Sequence, residues 1–252
     1  MWITLEEARS KEYIKSKAYA WLLHLAYLLF ISIGIPKEKI RFRQHHMDEK
    51  AFYADDAWDV EINLKSFGWI ECCGVHDRTD YDLKQHEKKS GVSLAALTED
   101  GEKAHPHILE IAFGTDRPVF AILNLFYQAA EKKDGKPMFR VPYQIAPVSV
   151  AIFPLMKKDG LPEYAQKIDA MISHIYVTKY DEAGTVGKRY VREDEAGTPF
   201  CITVDYDSLK KKDVTIRERD TGKQRRVEEK ELLPALAALF AGNALETIGK
   251  VM

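Results

Sequence analysis

Residues 41–83, Arg41 to Leu83, read RFRQHHMDEKAFYADDAWDVEINLKSFGWIECCGVHDRTDYDL. Inside this stretch the run Trp58, Asp59, Val60, Glu61, Ile62, Asn63, Leu64 alternates apolar and polar residues strictly, which predicts a half-buried β-strand. Lys65 and Ser66 make a short polar turn, and residues 67–75 read as the returning strand of a hairpin. One face of that hairpin carries Trp58, Val60 and Ile62 toward a core. The other carries Asp59 and Glu61, with Glu71 on the partner strand able to lie beside them. Like charges on neighbouring strand positions repel, so a cation, an arginine or a ligand is expected among them. Arg41, Arg43 and Arg78 are the candidates within the stretch. The same pattern also fits an ordinary hairpin with a solvated polar face, and alternation alone does not separate the two.

Downstream, residues 82–89 read as a charged helical surface and residues 91–107 as a polar loop. Residues 106–127 (PHILEIAFGTDRPVFAILNLFY) then read as a strand running into a helix. The strand is apolar except for Glu110. Gly114 permits a sharp turn, and Pro118 suits a first helical turn, where its missing N–H is not needed. A helix N-terminus attracts anions, and Arg117 beside it adds a full positive charge. Glu110 with Arg117 therefore fits a nucleotide-phosphate site. A capped helix with a surface arginine fits equally well.

Toward the N-terminus, Thr4 and Glu7 form a capping box. Ile14, Ala18, Leu22, Leu25 and Leu29 recur at helical spacing, and Gly34 with Pro36 closes the helix. The apolar segment 18–35 is short for a membrane span and contains His24, Tyr19 and Tyr27, so a buried core helix is expected and no membrane partner. At 252 residues the chain is long enough for one large or two modest domains, and its 46% hydrophobic and 30% charged residues are those of a folded globular protein. A net charge of −2 means that any nucleic-acid binding must come from a local patch. The three cysteines, Cys72, Cys73 and Cys201, make no disulfide framework and suit a reducing, cytoplasmic setting. Adjacent Cys72 and Cys73 are expected on opposite faces of their strand. His45, His46, His76 and His86 lie near Cys72 and Cys73 in sequence without CxxC or HxxxH spacing, so no zinc is expected. Mg²⁺ carried on a nucleotide suits Glu71 and its neighbours better, because hard oxygen ligands favour it.

The second half opens on residues 131–142 (EKKDGKPMFRVP), a charged segment broken by Gly and Pro and the best linker candidate. Residues 144–153 then read as a strand, 163–173 as a helix, 175–180 and 200–206 as strands, and 228–240 as a closing helix. That alternation predicts an α/β domain. Residues 210–226 hold Lys210, Lys211, Lys212, Arg217, Arg219, Lys223, Arg225 and Arg226, a local positive charge suited to phosphates. An exposed hairpin with Asp213, Glu218 and Asp220 as ion-pair partners is the alternative.

Several of these elements together resemble glycyl-tRNA synthetase of the archaeal and eukaryotic kind, a class II aminoacyl-tRNA synthetase. The matching residues are Arg41–Gln44, Glu49, Tyr53, Trp58-Asp59, Gly68-Trp69-Ile70-Glu71, Asp77-Arg78 and Tyr81-Asp82-Leu83. Residues 110–117 resemble the family's third signature motif, Glu-Pro-Ser-Phe-Gly-x-x-Arg, with Ile111 and Ala112 where proline and serine are usual. Residues 145–155, 184–197 and 200–207 resemble the anticodon-binding domain of the same enzymes.

The resemblance implies an α/β (α+β) architecture. Residues 1–141 would form part of an antiparallel class II catalytic domain, and residues 142–252 a small anticodon-binding domain with a mixed sheet. It implies glycine, ATP with Mg²⁺ and glycine tRNA as ligands, and a homodimer in the full-length enzyme. Glu110 would take the glycine ammonium beside Ala112, Arg117 the ATP phosphates after Gly114, Glu71 the metal or nucleotide, and Arg78 the substrate carboxylate or a phosphate. Arg189, Glu193, Asp194, Glu195, Arg217, Arg219 and Arg225 would face tRNA, the three acids reading cytosine amino groups. The family's first two motifs fall upstream of Met1, and Arg41-Phe42-Arg43-Gln44 is a different element. The chain thus resembles the C-terminal half of the enzyme, as a fragment, a split-gene product or a paralogue. A non-catalytic synthetase-like module that binds tRNA or a protein partner is the alternative function.

Overall fold

The structure, a computed structural model, describes residues 3–129 and 135–251. It divides into two compact units, Met1–Leu125 and Phe126–Met252, where the sequence suggested a boundary after Val141.

In the first unit Thr4 caps α1 (Leu5–Ser10), its hydroxyl accepting from the Glu7 N–H while the Glu7 carboxylate accepts from the Thr4 N–H. The single helix expected from Thr4 to Gly34 is broken. Glu12 takes a positive φ of 59°, Ile14 turns into the core, and Ser16 caps a second helix, α2 (Lys17–Ser32). The buried stripe of α2 is Tyr19, Leu23, Ala26 and Phe30, whereas Ala18 and Leu29 of the expected stripe are exposed. A helix apolar on nearly every side gives periodicity little to choose between. The Tyr19 hydroxyl fixes the choice by donating to the Val75 carbonyl at 2.5 Å.

Beneath α2 lies an antiparallel sheet of β1 (Ile40–Gln44), β2 (Asp56–Leu64) and β3 (Gly68–Asp77). After α3 (Tyr81–Ser90) and a ribbon of β4 (Ala96–Leu97) with β5 (Lys103–Ala104), β6 (Leu109–Phe113) completes the order β1-β2-β3-β6. The ribbon lies in a stretch expected to be loop. Gly114 then leads into α4 (Asp116–Phe126). One face of the sheet packs Val60, Ile62, Val75 and Phe113 toward the helices, Phe113 against Phe30. The opposite face collects the charged residues. A β-bulge interrupts the β2–β3 ladder, so that Val60 pairs with Cys73 but Glu61 with Glu71. Both cysteines at the bulge are buried.

The second unit begins with β7 (Tyr127–Gln128) paired to β8 (Met138–Phe139). Residues 131–134 of the expected linker lie outside the described residues. Beyond them Phe139 and Val141 are buried against Gly197, which is why this segment belongs to the second unit. The main sheet comprises β9 (Val150–Pro154), β10 (Thr178–Tyr180), β11 (Phe200–Val204), β12 (Asp213–Glu218), β13 (Gln224–Glu228) and β14 (Lys250–Val251) in the order β10-β9-β11-β12-β13-β14. It is mixed, because β9 runs parallel to β10 and β11 while the remaining pairs are antiparallel. One face is covered by α5 (Leu161–Ile172) and α8 (Leu232–Phe240) over Val150, Ile152, Phe200 and Ile202. The other packs α6 (Val186–Ala196) on Ala151, Phe153 and Cys201. A short α7 (Tyr206–Lys211) joins β11 to β12. Among the described residues no helix is long and apolar enough to cross a membrane.

Candidate functional site

The polar face of the first sheet follows from strand alternation. Arg41 and Arg43 lie opposite Glu61 and Asp59 in the β1–β2 register, so the arginines anticipated from like-charge crowding are supplied by the neighbouring strand. Arg41 pairs with Glu61 and stacks on Trp69 at 4.4 Å. Arg43 reaches Asp59 at 2.9 Å and Glu61 at 3.1 Å, and grips Glu49 through both terminal nitrogens. That bidentate hydrogen bond holds the Glu49 carboxyl at about 2, well below the usual carboxylate range. His45 contacts the second oxygen of Asp59 at 2.8 Å. Two buried carboxylates are thus each met by a cation or an imidazole, the arrangement burial of charge requires.

At the other end of β3 stands Arg78. Its Nε and Nη2 donate to Asp82 at 2.7 and 3.2 Å, its Nη1 donates to Glu110 at 2.7 Å, and the guanidinium lies 4.3 Å over the Tyr53 ring. Asp82 raises the Arg78 pKa further and is itself held below its ordinary range. Glu110 and Arg78 were expected to take opposite ends of an amino acid. Here they meet each other, half-exposed. Arg117, at the start of α4, reaches the Glu71 carboxylate at 2.9 Å and the Glu71 carbonyl at 3.2 Å, both side chains well exposed. Gly114 and Ala112 lie at the exposed end of β6 and just beyond it. Glu71, Arg78, Glu110 and Arg117 therefore fall on or beside one sheet face, β3 and β6 being hydrogen-bonded neighbours. Sequence reasoning missed His76, which lies directly opposite Glu110. It also missed Asp82 and Tyr53 as the groups that hold Arg78, although both stood in the quoted stretch. Among the described residues no group of three or more His, Cys, Asp or Glu could hold a metal ion.

In the second unit most of the residues assigned to tRNA are consumed by the fold. Arg189 is buried, its pKa lowered by burial, and donates to the carbonyls of Pro154, Asp181 and Gly184 at 2.7–3.3 Å. Glu193 is fully buried and meets Lys179 and the Thr198 hydroxyl, each at 2.7 Å. Asp194 takes a two-pronged bond from Arg217 at 2.7 and 3.0 Å, and Arg217 also stacks on Tyr190. Arg219 is buried between the Gly197 carbonyl, Asp220 and the Tyr143 ring. These five correct a solvent-facing reading: α6 turns Arg189, Glu193 and Asp194 inward against the sheet, and Arg217 on β12 with Arg219 just after it meet them or the neighbouring backbone. Glu195 remains exposed, and Arg225 is half-exposed with a 3.5 Å contact to the Glu246 carbonyl. Much of the basic run 210–226 is paired as well: Lys211 with Asp207, Lys223 with Glu246, Arg226 with Asp205 and Asp213. It is the ion-paired hairpin rather than an open positive stripe.

Residues 149–239 match the family model described as anticodon binding domain. A glycine–tRNA ligase of Clostridium tetani is 44% identical over 206 residues, covering 81% of this chain and 44% of that protein. One from Methanocaldococcus jannaschii is 32% identical over 318 aligned residues, covering 93% of this chain and 54% of the relative. One from Agathobacter rectalis is 43% identical over 216 residues, covering 83% and 46%. The chain spans about half the length of the curated relatives it matches.

Proposed function

We propose that this chain, a member of the glycyl-tRNA synthetase family, supplies a wall of the site that activates glycine with ATP, together with the unit that recognises glycine tRNA. The observation that carries the reading is the Arg78–Glu110 pair. A cation and an anion stand 2.7 Å apart, half-exposed, with the cation locked by Asp82 and Tyr53. An α-amino acid is a zwitterion, and it fits this pair by giving its ammonium to Glu110 and its carboxylate to Arg78. Arg117, which contacts the exposed Glu71 carboxylate and the Glu71 carbonyl, can exchange that carboxylate for nucleotide phosphates, and Glu71 would then be the carboxylate at hand for the Mg²⁺ that travels with ATP. The glycine carboxylate attacks the α-phosphorus, the bond to pyrophosphate breaks, and glycyl-adenylate forms. A terminal tRNA hydroxyl then attacks the adenylate carbonyl and AMP leaves. Little covalent chemistry falls to the protein, so the contribution is positioning and charge stabilisation.

Glycyl-sulfamoyl-adenosine, a stable mimic of the adenylate, tests this reading by calorimetry. Glu110→Gln is expected to weaken binding of this mimic, and Arg117→Ala binding of ATP with Mg²⁺, each at least about tenfold, the loss of one charge-assisted contact. Unchanged affinity in both variants would sink the site. Glycine-dependent ATP–pyrophosphate exchange is measured with the chain alone and with the rest of a full-length relative added in trans, and activity is expected only in the second case. For tRNA, exposed Glu195 is the acid left to accept from a cytosine amino group, with Arg225 and Lys210 as phosphate contacts. Filter binding to glycine tRNA is expected to weaken on Glu195→Gln and on replacement of the anticodon cytosines. Equal binding to both tRNAs removes base reading from the unit.

A further inference from the structure

The polar face of the first sheet has a floor with no polar side chain of its own, where Gly74 and Ala112 lie opposite one another. The His76 imidazole lies over that floor. A Cβ added to Gly74 would come within 2.8 Å of His76 Cε1 and 3.6 Å of each ring nitrogen. Around the ring stand Glu110, directly across on β6, and His45, edge to face at 5.8 Å between centroids. Every charged neighbour has a partner: His45 has Asp59, Arg43 has Asp59 and Glu49, and Arg78 has Asp82 and Glu110. His76 is the exception. Neither of its ring nitrogens has a hydrogen-bond partner among the described residues, although the ring is part-buried. Burial lowers its pKa, so at neutral pH it offers one donor and one acceptor. The ring is part-exposed on the same face as Glu110, so its donor and acceptor are available to a ligand seated on the floor beside Glu110.

We propose that His76 is a binding and size-selecting residue of the amino-acid site. Its ring N–H donates to a carboxyl oxygen of the amino acid held between Arg78 and Glu110, and its ring fills the volume over Gly74 where a side chain would project. This rests on the site reading above. The ligand that uses all three groups is an α-amino acid, free or as its adenylate, with hydrogen as its side chain.

The test measures the affinity of the whole chain for glycyl- and alanyl-sulfamoyl-adenosine by calorimetry. The wild type is expected to prefer the glycyl compound. His76→Ala is expected to lose about tenfold for the glycyl compound while gaining or holding affinity for the alanyl one, so that the preference collapses. His76→Asn, which keeps a donor but not the ring's bulk, is expected to recover glycyl affinity without recovering the preference. Gly74→Ala keeps the imidazole but pushes its Cε1 edge away, and is expected to act like His76→Ala, which guards against a variant that fails to fold. If His76→Ala and Gly74→Ala leave both affinities unchanged while Glu110→Gln abolishes binding, the role of His76 is overturned and the site stands. If Glu110→Gln is also without effect, both fall.

Discussion

Replacing Asp194 by asparagine separates a structural carboxylate from a base-reading one. The substitution keeps size and shape and removes only the charge that Arg217 grips through two nitrogens, at 2.7 and 3.0 Å. The two side chains are 6% and 14% exposed, so solvent screens the pair little. Removing one partner of a buried pair costs about 3–5 kcal/mol, because the other charge stays buried without compensation. Arg217 keeps its place 4.8 Å over Tyr190, which returns about 1 kcal/mol and sets the expectation near the low end, about 3 kcal/mol. At a urea slope of about 1.5 kcal/mol/M for a unit of this size, the midpoint falls by about 2 M. Cys201 reports the event selectively. It is buried on β11, opposite Arg217 in the register, and pulse alkylation with mass-spectrometric readout of its peptide follows the second unit alone. The double variant Asp194→Leu with Arg217→Met should recover to within about 1 kcal/mol of the wild type. A midpoint shift below about 0.5 M for Asp194→Asn, accompanied by lost tRNA affinity, would show that the carboxylate faces a ligand and not Arg217.

Gly249 takes a φ of +54°, and a Cβ there would overlap the Arg226 carbonyl oxygen of the neighbouring strand. Gly249→Ala is therefore expected to cost about 2–4 kcal/mol through backbone strain and displacement of β14, read as a lowered urea midpoint of the second unit. Burial pushes the Cys72 and Cys73 thiols up to about 11 and about 12, so neither should react with iodoacetamide at pH 8 until the first unit unfolds; rapid native labelling would contradict that burial. Glu49 and Asp56 pull stability in opposite directions with pH. Glu49, held at about 2 by Arg43, lends stability that is present above its ordinary 4.5 and lost as pH falls toward 2. The Glu49→Gln variant should lose stability chiefly above pH 4.5. Asp56 has its pKa raised by burial from 3.8, so its ionisation removes stability as pH rises through that value. Asp56→Asn, which keeps an oxygen to accept from Trp58 Nε1, should raise the thermal midpoint at pH 7 and not at pH 3.

The hairpin and the strand–turn–helix around Gly114 were legible because local rules decide them: period-two alternation for β2, and Gly and Pro punctuation before α4. The charge partners were not. Arg217 and Asp194 lie on different elements, as do Arg226 and Asp205, so the sequence left residues 210–226 open between a positive patch and an ion-paired hairpin until the sheet brought these carboxylates to them. Arg189 looked like a surface group because α6 is charged throughout, and only the packing of that helix on Phe153 and Cys201 decides which of its sides is inside. The α2 stripe failed for the converse reason, an excess of apolar choices. The pairing of Arg78 with Asp82 is an i,i+4 contact that was readable and overlooked. The sequence offers one clue to His76: a glycine two positions earlier on the same strand face.

The bulge in the β2–β3 ladder changes the arithmetic of that face. Along an unbroken strand, residues of one parity share a side, so odd-numbered Glu71 would accompany Cys73 and Val75 into the core. The extra residue resets the count. Upstream of it, odd positions such as Trp69 and Glu71 face the charged side; downstream, even positions such as Gly74 and His76 do. Glu71 with its Arg117 partner and His76 with its Glu110 neighbour share one surface because the extra residue is bulged out of the ladder. Deleting either cysteine should therefore close the bulge and leave Glu71 and His76 four apart, still on one side of a regular strand, and the charged face should survive the loss. Of the two cysteines, one is needed to fill the core side and the other only lengthens the strand.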